Sequence, residues 1–303
     1  MGAGPASAAH VTCGQTITVS TTLDSNVGPC ADGLIIGADN ITLDLNQFSV
    51  IGTTAVGDGP GILISGRTGV TVRNGTVTGF DSGVSIEGGS GNTLTRLRLV
   101  DNRGAGDYGE GALLFFTSGN TVTDNVVRNN GPYGGISLLR ASTNLVERNA
   151  IMNNNQSTTN TSGIRLENIG VNASNSNTIR GNSISGSGLD GIQLFARASD
   201  NLISRNVVTG SNRDGINVFA GGNRNIIEDN QTRNNGFGPI PGSGIFVRGA
   251  AGTIAAPAGN IIRRNLSSGN NQFDLRDGTP NCGTNVWTAN QGVTGTPPCV
   301  FNP

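Results

Sequence analysis

Lysine is absent: all 19 basic residues are arginines, and the single histidine, His10, sits near the start of the chain. Histidine-built zinc sites, Ser-His-Asp triads, histidine general bases and Schiff-base lysines are thereby excluded from the body of the protein. Aromatics make up only 4% of the 303 residues, too few to fill an ordinary wide core. No apolar run reaches the ~18 residues of a membrane-spanning helix, so no membrane insertion is expected. A net charge of −1 and the lack of a basic stripe argue against a nucleic-acid partner.

Cysteine is limited to four, Cys13 and Cys30 at one end and Cys282 and Cys299 at the other, each pair 17 positions apart. The natural reading is two local disulfides, each closing a short loop at a terminus and each worth ~3 kcal/mol in the loop-entropy account. Four reduced core cysteines are the alternative. Ala6-Ser7-Ala8 followed by Ala9 reads as the remnant of a secretory signal peptide, so a secreted, extracellular protein in an oxidising compartment is expected.

What the chain has in abundance is glycine, 48 residues, and short apolar triplets that follow it. A Gly-apolar-x-apolar unit starts at Gly33, Gly61, Gly83, Gly111, Gly135, Gly163, Gly191, Gly215 and Gly244, on average about 26 residues apart. Alternation at period two is a strand signature. Nine copies at a near-constant interval predict stacked coils rather than a sheet wound with helices. A second signal accompanies it, an asparagine five residues before another: Asn120 with Asn125, Asn144 with Asn149, Asn177 with Asn182, Asn201 with Asn206, Asn225 with Asn230 and Asn260 with Asn265. Asparagine tolerates left-handed corners and can hydrogen-bond from coil to coil, so these are read as structural ladders.

The fold expected is all-β, a parallel β-solenoid of about 9–10 coils with disulfide-closed ends. Residues 1–12 are read as a signal remnant or tail, 13–32 as an N-terminal cap, 33–270 as the solenoid and 271–303 as a C-terminal cap. The opening Cys13-Gly14-Gln15-Thr16-Ile17-Thr18, the run from Gly33 to Asn46, the Gly-Ile-x-Leu and Asn-x-Ile units, and the closing Phe273-Asp274-Leu275 and Asn285-Val286-Trp287 resemble secreted bacterial right-handed parallel β-helix proteins of the pectate-lyase-like superfamily. The resemblance spans nearly the whole chain. It implies a right-handed β-helix and polysaccharide contact without naming a reaction, since such proteins include lyases, epimerases, hydrolases and members with no activity. The Asp-Pro-His element of alginate epimerases is missing, as are the histidine and lysine of polygalacturonases.

If the apolar positions of the glycine strand point inward, two rows point outward: Ser85, Leu113, Ser137, Arg165, Gln193, Asn217 and Phe246, then Glu87, Phe115, Leu139, Glu167, Phe195, Phe219 and Arg248. Rings beside polar forks suit the CH faces and hydroxyl edges of an extended glycan, with coverage of Phe115, Phe195 and Phe219 by loops as the bland alternative. Asp190 and Asp214 precede glycines of consecutive coils, so their carboxylates should lie ~5–8 Å apart. They are candidates for acid–base or nucleophilic work in glycoside cleavage, or for a calcium ion, against a plain turn-capping role. Arg213 beside Asp214 would neutralise it. For elimination from a uronate, Arg165, Tyr133 and Tyr108 are the catalytic candidates and Arg140 a carboxylate holder; an ion pair with Glu167 is the structural reading of Arg165. Gln193, Phe195, Asn217, Phe219, Glu167, Arg213 and Arg248 complete the expected substrate contacts. No cofactor is required and calcium is possible; the oligomeric state is open.

The sequence thus reads as a secreted polysaccharide-active enzyme of lyase, epimerase or glycoside hydrolase type. A non-catalytic glycan-binding or structural β-helix protein is the alternative, and a small-molecule isomerase or cyclase the second.

Overall fold

The computed structural model describes residues 7–55, 57–104, 109–154, 162–168 and 174–301. The nine glycine-led triplets lie in nine strands of one 12-stranded, wholly parallel sheet, completed by Thr16–Ile17, Leu275–Asp277 and Gly295–Thr296. Ile164, Ile192, Ile216, Ile245 and Leu275 stand in direct register, and each is fully buried. Residues some two dozen positions apart are therefore vertical neighbours, as the repeat requires. At about 4.8 Å per strand the stack is ~50 Å long.

Why each triplet opens with glycine is visible in the spacing of the coils. A Cβ on Gly191 would lie 2.1 Å from Val208 Cγ1 and 2.6 Å from the Gly215 carbonyl oxygen, and one on Gly215 would lie 2.5 Å from the Gly244 carbonyl oxygen. Any side chain there would push neighbouring coils apart.

The other two walls form the 20-stranded sheet, in which a typical coil supplies two short strands around a corner. Thr121–Thr123 and Val126–Arg128, for example, flank Asp124 in the left-handed region (φ 58°) and the buried Asn125. Aliphatic side chains from all three walls fill one continuous core with Trp287 near its C-terminal end.

The asparagines form ladders, three of them. One runs from Asn92 through Asn120, Asn144, Asn177, Asn201, Asn225 and Asn260 to Asn285; the second runs from Asn125 through Asn149, Asn182, Asn206, Asn230 and Asn265 to Asn290. Each amide donates to the next coil's Oδ1, at 2.9–3.1 Å, and most also donate to a backbone carbonyl. The third joins Asn102, Asn130 and Asn154, then Asn235 and Asn270, with Ser187 and Ser211 at the positions between. Two ladders end on carboxylates: Asn270 donates to Asp274 and Asn285 to Asp277.

Cys13 is bonded to Cys30 and Cys282 to Cys299, and no free cysteine remains. Both loops also contribute to the stack, since Thr16–Ile17 pairs with the strand at Ile35 and Ile36, and Gly295–Thr296 with Leu275–Asp277. Ser7–Ala9 pairs with Thr21–Leu23; residues 1–6 of the segment read as a signal remnant lie outside the described residues. No helix among the described residues is long and apolar enough to cross a membrane.

Candidate functional site

The outward face of the 12-stranded sheet carries the predicted rows in register: Ser137, Arg165 and Gln193 stand side by side, as do Leu139, Glu167 and Phe195. The open wall expected from the sequence is corrected. Every residue of the first row is buried, and only Glu87, Phe115, Phe195, Phe219 and Arg248 of the second are partly exposed. Part of the cover comes from the rows themselves, because their flat side chains stack coil over coil. The Arg165 guanidinium lies 4.6 Å from the centroids of both the Tyr133 and Phe195 rings. Phe195 and Phe219 follow at 4.8 Å, and Arg248 covers Phe246 at 4.7 Å. Such contacts add to the ion pairs that hold Arg165 and Arg248 in place.

Arg165 also donates to Glu167 at 2.9 Å, and Tyr133 Oη donates to the same carboxylate in a short hydrogen bond. Burial pushes the Tyr133 phenol well above its ordinary range, with Glu167 adding to the rise against Arg165. At neutral pH the phenol therefore holds its proton, and Glu167 is the acceptor. Gln193 is buried one coil on, within reach of the Ser162 hydroxyl at 3.4 Å.

Asp190 and Asp214 do come together, but under the surface. Arg213 Nε donates to Asp190 at 2.8 Å, and the Asp214 amide donates to Asp190 at 3.1 Å. Asp214 in turn accepts from Arg248 (2.7 Å), Asn217 (2.8 Å) and the Ser243 amide (2.8 Å). Burial, and then the neighbouring Asp190, push the Asp214 carboxyl upward against Arg248. The pair offered for acid–base work is thus a closed, buried network in which Arg213 and Arg248 balance two carboxylates.

The remaining candidates lie elsewhere. Tyr108 lies outside the described residues. Arg140 adopts φ 52°, packs over Phe116 at 4.7 Å and is in no ion pair among the described residues. Among those residues no group of three or more His, Cys, Asp or Glu is placed to hold a metal.

Glu110, immediately before Gly111, is a further buried acid on this wall, marked in the sequence only by its place before a glycine. The carboxyl is fully buried, accepts from Ser82 Oγ at 2.9 Å and from the Gly109 amide at 3.1 Å, and has no arginine partner. Its Oε1 lies beside the Ser137 hydroxyl, outside hydrogen-bond geometry, so neither atom has a partner among the described residues. Burial raises its pKa to about 7. Ser82, which it binds, lines a hollow of about 260 Å³ with Asp81, Ser85, Glu87 and Leu113.

Three walls, parallel strands in near-continuous register and asparagine-lined corners define a right-handed parallel β-helix protein. The chain belongs to the family described as periplasmic copper-binding protein (NosD), which it matches over residues 39–237. No curated protein matches the sequence. Among solved structures it is similar to the Dettilon tailspike protein (gp208), with TM-score 0.65 and 16% identity over 90% of this chain; the chain spans 55% of that protein. It is also similar to the periplasmic alginate epimerase AlgG T265N mutant, with TM-score 0.57 and 14% identity, covering 91% of this chain and 73% of that one. At these identities the likeness concerns the fold.

The copper in the family's description is not matched by donors here. Residues 39–237 contain no cysteine and no histidine, and their one methionine is Met152. Copper sites are built from thiolate, thioether and imidazole groups, so this stretch does not fit the metal.

Proposed function

We propose that the chain is an extracytoplasmic, carbohydrate-active β-helix protein that lays an extended glycan along the outward face of the 12-stranded sheet. The observation that carries this reading is the strip of partly exposed side chains on consecutive coils: the rings of Phe195 and Phe219 stacked together, then the cations Arg248 and Arg276 over the buried Phe246, the latter at 4.4 Å. Aromatic faces at coil spacing pack against sugar CH faces, and guanidinium N–H groups donate to hydroxyl oxygens. The fold shared with an alginate epimerase and a tailspike supports the reading, and two disulfides suit a compartment outside the cytoplasm.

If the bound glycan is turned over, Tyr133 and Glu167 are the groups able to exchange a proton, with Arg165 as the group that positions Glu167. The reaction is then of the lyase or epimerase type rather than a two-carboxylate hydrolysis, because Asp190 and Asp214 are neutralised. Incubation with a panel of uronate and neutral glycans tests this: unsaturated uronate absorbance, or epimerised product, should appear and be lost in Tyr133→Phe. Binding without turnover favours a second reading, a non-catalytic glycan-binding protein, to which the arginine-locked aspartates already lend support. No binding by any glycan sinks both.

A further inference from the structure

The two ends of the outward face differ in charge at equivalent positions. Arg213, immediately before the Asp214-Gly215 unit, and Arg248, in the second outward row, are the cations that neutralise Asp190 and Asp214. At the N-terminal end the same two positions hold Asp81, immediately before Ser82-Gly83, and Glu87, in the second outward row. Glu110 stands in the same column as Asp190 and Asp214 yet has no arginine, and one of its oxygens is unpartnered although fully buried. Where the far end has guanidinium groups, this end has the 260 Å³ hollow bounded by Asp81, Ser82, Ser85, Glu87 and Leu113. A second hollow shares Gly59 and Pro60 with it and adds Asp32 and Asp58. None of these carboxylates is in an ion pair among the described residues, so the negative potential is left open to the hollow.

From this charge inversion we infer that the hollow is a subsite for a cationic amine, and, on the reading that the sheet face carries a glycan, that the glycan bears free amino sugars. A primary ammonium is small enough for the space and donates three hydrogen bonds, matching Asp81, Glu87 and the serine hydroxyls. The Leu113 side chain and the Pro60 ring supply the apolar contact for a sugar ring. A bare metal ion is a poorer occupant, because no three carboxylates converge.

The test is calorimetric titration with a glucosamine trimer, its fully N-acetylated counterpart, a mannuronate trimer and glucosamine itself. The amine trimer should bind best, weakening as salt rises, and Asp81→Asn and Glu87→Gln should each reduce its affinity by about tenfold, some 1.4 kcal/mol. Both variants keep their shape and side-chain size, and a thermal melt matching the parent confirms folding. Equal binding of the acetylated trimer, or unchanged affinity in both variants, overturns the amine subsite while leaving glycan binding standing. Binding of glucosamine with no preference for the trimer keeps the subsite and overturns the extended-glycan reading. No binding by any of the four overturns the subsite.

Discussion

Glu110 is a fully buried wall carboxylate with no arginine opposite it among the described residues, unlike Glu167, Asp190 and Asp214. Its carboxyl titrates at about 7 in the folded chain against an ordinary 4.5. The native state therefore retains a proton that the unfolded chain releases between those values. Its contribution to stability is complete below the unfolded value and is lost as pH rises through the folded one. Glu110→Gln should flatten that slope and leave the protein more stable than the parent above neutrality, by up to about 3 kcal/mol. Urea unfolding at about pH 5 and about pH 8 measures it, and an unchanged slope would mean that Glu110 is ionised throughout. Arg213 shows the opposite case. Truncation to alanine strips the cation from buried Asp190 and the more distant of the two cations from Asp214, and should cost roughly 3–5 kcal/mol, read as a lower urea midpoint with little change in slope.

At the scale of the element, the glycine-led strand was legible because two constraints coincide in it. Its apolar positions must alternate to reach the core, and its first residue must have no side chain to let the next coil close. Gly191→Ala should therefore be far more damaging than a surface substitution, since the added carbon overlaps both Val208 and the Gly215 carbonyl. Expression yield and thermal melting check this against Gly181→Ala, where nothing stands within 4 Å but the backbone is left-handed. Two asparagine ladders were equally readable from the five-residue spacing. The third follows from extending that spacing once more, as in Asn120, Asn125 and Asn130, but Ser187 and Ser211 interrupt it. Within a ladder, Asn149→Ala takes the Oδ1 acceptor from both the side-chain amide and the backbone N–H of buried Asn125 and removes the two bonds that Asn149 donates; a loss of about 2–3 kcal/mol is expected from the unmet donors. The burial of the outward rows was not legible, because it depends on which side chain of one coil lies over which ring of the next. Arg165 between Tyr133 and Phe195 is the clearest instance: its partners come from different coils, and only the register brings them together.

Over the whole molecule, the family description and the donor chemistry point in different directions. The only histidine is His10, the cysteines are spent in two disulfides, and the matched region offers a single thioether. Copper, as either ion, should leave the melting temperature unchanged, and a saturable rise on titration would reveal donors that this composition does not provide. The ladders carry a consequence of their own. Each amide in them hands one hydrogen to the Oδ1 of the next coil and accepts one from the coil before. The aligned side-chain dipoles thus give the column an electrical heading, with its positive pole at the C-terminal end, where Asp274 and Asp277 take the final hydrogens. Those two carboxylates act as terminators, accepting the hydrogen that earlier coils pass to the next asparagine.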